Sequence, residues 1–411
     1  MIKSSFHNIA YSNTNKKSRY NVFLTEYRSY ASDLLDFLWN NRIDYKIGKF
    51  DIKNNHLDIP KFLSTKDIKI STELSARAKN CAVNQVLGII RSITSKRKKQ
   101  LYVLSNTDKY PMSENKRKKL IEKLSTPLTK PDISNINPEL NSICCKFIKK
   151  DNFFNGFLKL FSLGKRFGKI LIPIKFHKQN KKLIDWKMMT SFLITEEQIQ
   201  IRWEKSVEKK TSGEIVGADS GVNAILTLSD QQKTNSLTEI LKKLSRKRKG
   251  SKAFARAQKE RTNSINYSIN RLNFDKIRQI NLENVKNLRF KQKTNRFLSH
   301  FTYPAIRQKL EDRCEALGVQ VKLTSSPFKS QRCSACDWVQ KKNRSGESFN
   351  CQSCGFSANA DYNSSLNQLI DLPSVWSFVK SGMNKTGFYW NSDGVYDRFG
   401  QELAVPVSQE K

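Results

Sequence analysis

Two Cys-x-x-Cys pairs, Cys333/Cys336 and Cys351/Cys354, lie fourteen residues apart near the end of the chain. Each pair can bend a tight knuckle around one ion, and the intervening loop lets the two knuckles face each other. Four thiolates in a tetrahedron suit Zn²⁺ and leave no open coordination position. The metal then holds together a segment too small to have its own core. Rubredoxin-like iron is the alternative, and it fits poorly with so basic a chain. In a reducing compartment such spacing reads as metal, not disulfide. The other cysteines, Cys81, Cys144, Cys145 and Cys314, are scattered and are expected to pack as small hydrophobes. A lone carboxylate, Asp361, follows seven residues after Cys354.

What surrounds this segment is a polycation. The 411 residues hold 74 Lys and Arg against 37 Asp and Glu, a formal charge of +37 spread from end to end. Such a field suits a polyanionic partner, nucleic acid first and an anionic membrane second. No apolar run approaches the roughly 20 residues that span a bilayer. Met1 to Tyr20 is polar throughout and does not read as a signal peptide. A soluble, intracellular protein is expected. The histidines are only His7, His56, His177 and His300, no two of them close in sequence, so a histidine-centred nuclease or a Ser-His-Asp hydrolase is hard to build.

The amino-terminal third reads as helical. Phe23, Tyr27, Tyr30, Leu34 and Leu38 fall at helical spacing over 21–40, as do Leu74, Ala78, Ala82, Val86, Ile89 and Ile93 over 73–97. A basic helix is expected over 114–124. From about 140 short β-branched or aromatic runs alternate with polar turns, which predicts an antiparallel sheet or small barrel. Basic residues and aromatics interleave there. That suits either nucleic-acid contact or a plain barrel core with a solvated face.

The texture changes again at 209–230. A short strand, Ile215 to Ala218, leads to Asp219, followed by a Gly221 turn and a second strand, Ala224 to Leu228. Lys242 to Arg261 holds ten Lys or Arg and one acid, Glu260, which calls for a phosphate partner. A strand ends at Glu283, a helix marked by Ile306, Leu310, Cys314 and Leu317 stops at Gly318, and a further strand follows. Asp361 opens a short helix. An isolated strand-end carboxylate is usually a cap or turn residue. Asp219, Glu283 and Asp361, from separate elements of one α/β domain, can instead converge on two Mg²⁺ ions about 4 Å apart. Hard oxygen ligands suit Mg²⁺ and set that site apart from the soft zinc site.

"GADSG", then "INLENVKNL", then "SQRCSAC…CQSCGFSANADYNSSLNQL" resembles, in order, the split RuvC nuclease domain of the TnpB family. TnpB proteins are transposon-encoded RNA-guided DNA endonucleases, and the miniature type V CRISPR effectors share their core. The motifs cover roughly residues 140–371. The resemblance implies catalytic, magnesium-binding carboxylates at Asp219, Glu283 and Asp361, and one structural Zn²⁺ on Cys333, Cys336, Cys351 and Cys354. It implies an α/β, RNase H-like nuclease domain (211–329 and 358–372) with an inserted zinc ribbon (330–357). It also implies a wedge β-barrel (1–20 and 131–210) interrupted by a helical recognition lobe (21–130). The partners implied are a guide RNA and double-stranded target DNA, with no membrane, in the prokaryotic cytosol or nucleoid. Two motif positions depart from the family: Asp337 stands where Gly is usual after the second cysteine, and Asn284-Val285 where Asp-Leu is common. Residues 373–411 extend past the motifs and are expected to form a loosely packed tail.

The expected function is therefore RNA-guided hydrolysis of DNA. A nuclease-inactive guided repressor, a miniature type V effector, a DNA-strand transferase and a basic zinc-ribbon protein that coats RNA are the alternatives.

Overall fold

In the computed structural model the chain divides into two compact units, Ile2–Lys205 and Ser206–Lys411, with Met1 going to the second. The structure describes residues 1–40, 68–106, 113–125, 129–150, 152–178, 180–284, 295–325, 327–373, 375 and 382–403.

The first unit opens with β1 (Ile2–Asn8) and three helices, α1 (Thr14–Asn40), α2 (Ala76–Ser105) and α3 (Glu114–Ser125). The apolar stripe of α1 is buried as its spacing predicts, from Phe23 through Leu38. The helix begins ahead of that stripe because Asn13 caps it: the Asn13 Oδ1 accepts from Lys16 N at 2.9 Å. That first turn is polar and carries no apolar period to read. Ser75 caps α2 in the same way, accepting from Ala78 N at 3.1 Å. The buried side of α2 runs through Ala78, Ala82, Val83, Val86, Leu87 and Ile90, whereas Ile89 and Ile93 are only partly buried. The helix also continues past 97 to Ser105, since Lys and Arg favour helix as much as they favour its end.

Next come β2 (Glu139–Leu140), β3 (Cys145–Lys149), β4 (Gly156–Leu160), β5 (Ile170–Ile174), β6 (Lys187–Ile194) and β7 (Gln198–Glu204). They form two antiparallel sheets, ordered β1-β7-β6-β2 and β3-β4-β5. β4 alternates buried and half-buried residues, and β7 buries Ile199, Ile201 and Trp203 at every second position, as a one-faced strand must. Helices α1 and α2 share one core with both sheets. Cys81, Cys144 and Cys145 are buried in it as small apolar side chains.

The second unit is built on β8 (Glu214–Asp219), β9 (Thr227–Leu228), α4 (Thr238–Arg246), α5 (Lys252–Arg271), β10 (Ile277–Glu283), α6 (Tyr303–Leu317) and β11 (Gln320–Thr324). The sheet order is β11-β10-β8-β9, with the first three strands parallel and β9 antiparallel. Val216, Ala218, Ile280 and Leu282 of the strands pack with Leu241 and Leu244 of α4, Ile265 and Ile269 of α5, and Ile306, Leu310 and Cys314 of α6. The strand expected over 224–228 is regular only at Thr227–Leu228, because Gly221 N donates to Ala224 O in the preceding turn.

The cysteine segment supplies β12 (Trp338–Val339), β13 (Arg344–Ser345), β14 (Ser348–Asn350) and β15 (Ser357–Asn359), and leads directly into α7 (Ala360–Asn367). Beyond it lie α8 (Met383–Thr386), β16 (Phe388–Trp390) and β17 (Val395–Tyr396). The described part of the carboxy-terminal extension is thus not the loose tail expected. β16 pairs antiparallel with both β12 and β17, and Phe388, Trp390, Val395 and Val375 are fully buried. Phe388 and Trp390 alternate onto one strand face, a period too short to stand out in the sequence. Gly387, at φ +101°, lets the chain pass against the Trp338 ring; any Cβ there would run into the indole. Trp376, singled out in the sequence, lies outside the described residues.

Candidate functional site

The parallel strands β8 and β10 are in register at Ala218 and Leu282. One residue further on, Asp219 and Glu283 therefore stand side by side at the carboxyl ends of neighbouring strands. In open α/β sheets this end is where ligands bind. The third carboxylate, Asp361, sits in the first turn of α7, which packs on β8 and β9. Close approach is possible because residue 217 is a glycine: a Cβ there would collide with the Ser365 carbonyl oxygen of α7. The helix is then pinned by buried polar contacts. Ser364 Oγ donates to Asp219 Oδ1 at 2.8 Å. Asn281 Nδ2 donates to Gln368 O at 2.9 Å, and Thr324 Oγ1 to Gln368 Oε1 at 2.5 Å.

Burial and mutual repulsion set the electrostatics. Asp219 is only 7% exposed. Desolvation, assisted by the Asp361 charge, pushes its carboxyl up to about 6 against the Ser364 bond and the Arg344 charge. Glu283 is pushed up to about 8, again mainly by desolvation, with Asp219 adding and Lys329 and Arg344 opposing. Lys329, almost fully buried, is itself lowered to about 8 by desolvation. A cluster of buried acids that resist ionisation is a site short of positive charge. The three oxygen donors fit a hard divalent cation. They are more widely spread than a single-ion cage: among the described residues only the four cysteines bring one ligand atom each within 4.8 Å of all the others.

Those cysteines form two matching knuckles. Asp337 N donates to Cys333 O and Gly355 N to Cys351 O, each at 3.1 Å. The Sγ atoms of Cys333 and Cys354 are 3.7 Å apart, and those of Cys336 and Cys351 3.5 Å. A tetrahedron with Zn–S near 2.3 Å has edges of roughly 3.8 Å, so the donor set fits zinc.

The sequence reading missed what joins the knuckles to the carboxylates. Arg344, on β13 between the two pairs, donates from Nη2 to Asp361 Oδ1 at 2.8 Å. In the sequence it is one basic residue among several in "KKNRSG". Asn359, Asn363 and Asn367 recur every fourth residue and so share one helical stripe. Asn359 Oδ1 caps α7, accepting from Asp361 N and Tyr362 N. Asn363 Oδ1 accepts from Ser334 N, and its Nδ2 donates to Arg332 O. Asn367 Nδ2 donates to Lys329 O and Arg332 O. That spacing was the available signal. Buried Arg332 completes the joint, donating to Trp390 O at 2.6 Å, to Asn367 Oδ1 at 2.5 Å, and to the Asp337 carboxylate.

In the first unit basic and aromatic side chains also meet at the surface. Residues 141–187 hold twelve Lys or Arg against two Asp. Tyr11 and Phe153, both more than half exposed, meet Phe154 edge-on. Lys175 Nζ lies 3.6 Å over the Phe153 ring.

Comparison with known proteins agrees with the motifs. The family described as Cas12f1-like, TNB domain matches residues 303–368. The CRISPR-associated endodeoxyribonuclease Cas12f1 of Sulfoacidibacillus thermotolerans is 37% identical over 97 residues, 23% of this chain and 22% of that protein. InsQ of Escherichia coli strain K12, provisionally named an RNA-guided DNA endonuclease, is 28% identical over 210 residues, 42% of this chain and 52% of that protein. The matches thus span at most about half of these relatives. The cryo-EM structure of CasPhi-2 (Cas12j) bound to crRNA and phosphorothioate-DNA superposes with a TM-score of 0.50 at 10% identity, covering 90% of this chain and 91% of that one, a likeness of fold. The chain is similar to TnpB-type proteins and to the miniature type V effectors. Among the described residues no helix is long and apolar enough to cross a membrane.

Proposed function

We propose that this protein is an RNA-guided DNA endonuclease that hydrolyses phosphodiester bonds at Asp219, Glu283 and Asp361. The observation that carries this reading is the pairing of Asp219 and Glu283 on adjacent parallel strand ends beneath the helix that bears Asp361. Two buried carboxylates held above the usual range suit Mg²⁺, which would relieve their repulsion. Two such ions, when bound, activate a water and stabilise the leaving 3′ oxygen. Asp219, Glu283 and Asp361 would hold them. Ser364 fixes the Asp219 carboxylate, and the Arg344 guanidinium, paired with Asp361, would meet the charge of the scissile phosphate.

One Zn²⁺ on Cys333, Cys336, Cys351 and Cys354 would hold Arg344 and the start of α7 in place. The α/β core of residues 211–329 and 358–372 is read as an RNase H-like domain, with 330–357 as its inserted ribbon. Residues 1–20 and 131–210 are read as the wedge barrel, and 21–130 as the recognition lobe. Guide RNA would lie along the basic first unit. Base pairing would read the target, and many neutralised phosphates would make binding strongly salt-sensitive. The site of action is read as the prokaryotic cytosol.

The test is direct. The protein is purified with its co-purifying RNA, the RNA is sequenced, and matching duplex DNA is supplied with Mg²⁺. Cleavage by the parent, lost in Asp219→Ala with binding retained, is expected. Binding without cleavage by the parent would favour a guided repressor. Joined strands would favour a transferase.

A further inference from the structure

A cavity of about 440 Å³ opens beside the carboxylates, lined by Thr227, Gln231, Lys233, Asn359 and Tyr362. Its position follows from the chain. Thr227 is the cross-strand partner of Asp219, so the two side chains emerge on the same sheet face. Asn359 and Tyr362 flank Asp361 in sequence. Thr227 is 5% exposed, yet its Oγ1 has no hydrogen-bond partner among the described residues. A buried hydroxyl left unpaired is costly unless a ligand completes it. Gln231 is held at φ +70°, an uncommon backbone state for a residue other than glycine.

We propose that this cavity is a nucleotide subsite, taking one nucleotide of the DNA strand next to the scissile phosphate. Among the described residues no carboxylate lines it, and Lys233 supplies a cation for a phosphate. The amides of Gln231 and Asn359 and the Thr227 hydroxyl are suited to base edges. The Tyr362 ring offers a stacking surface, the sequence-tolerant contact on which single strands are held. The volume falls in the range of about 300–1,000 Å³ usual for small-molecule sites. Only the identity of the ligand as a nucleotide of the cut strand rests on the nuclease reading.

Two measurements test it. In the first, the full chain with its co-purified RNA is titrated with a thymidine trinucleotide carrying 2-aminopurine at its centre. Saturable quenching of the fluorophore is expected. Tyr362→Ala should weaken it about tenfold, Lys233→Ala by a smaller factor, and Tyr362→Phe, which keeps the ring, should leave it nearly unchanged. Tyr362 is only partly buried, so thermal melts of these variants should match the parent. No saturable quenching, or quenching equal in parent and Tyr362→Ala, overturns the subsite whether or not the protein cuts DNA. In the second, single abasic sites are walked through the cut strand. An abasic site at the nucleotide beside the cut should slow the parent about tenfold and add nothing in Tyr362→Ala. Equal slowing in both proteins overturns the proposal. A parent that cuts no DNA at all counts against the nuclease reading instead.

Discussion

Arg344 and Asp361 are joined by a 2.8 Å ion pair that ties the middle of the cysteine segment to the carboxylate at the start of α7. Asp361 is 10% exposed at its side chain and Arg344 30%, so the pair is shielded from solvent on the carboxylate side. Replacing Arg344 with Ala is expected to lower the cleavage rate about a hundredfold, the scale for losing one donor aimed at developing negative charge. Guide and target binding, read by filter retention, should be unchanged. A variant that cuts at the parental rate would show that the guanidinium serves only to hold the ribbon.

The raised carboxyls predict a pH signature. Asp219 at about 6 and Glu283 at about 8 bind protons more tightly folded than unfolded. Without metal, their contribution to stability is full below about pH 4 and is lost as pH rises through 6 to 8. Mg²⁺ competes with those protons. Its gain in melting temperature should be small at pH 5 and should grow to several degrees at pH 8, with cleavage rising over the same window. A magnesium gain that does not vary with pH would contradict the placement of these two groups.

Removing zinc should act at a distance. Cys351→Ser, or prolonged chelation, is expected to reduce bound zinc from about one per chain, measured by plasma emission. Cleavage should fall with it, because Arg344 and the Asn363 and Asn367 contacts to α7 lose their support. Retained zinc in Cys351→Ser would sink the four-thiolate site.

Gly217→Ala tests the packing of helix on strand. The added methyl meets the Ser365 carbonyl oxygen, which belongs to backbone and cannot rotate away. Overpacking of this kind costs about 1–3 kcal/mol, readable in urea melts. Cleavage should fall further than stability, since the displaced helix carries Asp361.

Much of the second unit was legible because its signals are local. β10 ending at Glu283, α6 ending before Gly318 and the paired cysteines each follow from a few neighbouring residues. Asp337 was less so. In sequence it replaces a customary glycine, yet it adopts φ +69° and its carboxylate receives the buried Arg332 guanidinium. The favourable pair offsets the strained turn, and the partner is visible only in three dimensions. Arg344 was illegible for a related reason: nothing in a run of basic residues says which one reaches an acid seventeen positions away. The first unit gave up its helices through apolar spacing. How its strands sort into two sheets depends on long-range pairing such as β1 with β7, which no local pattern encodes.

The pairing of β16 with β12 bears on how this molecule could be shortened or tethered. Trimming the gene from its 3′ end would, on reaching Trp390, remove a structural strut of the first cysteine turn and not spare length.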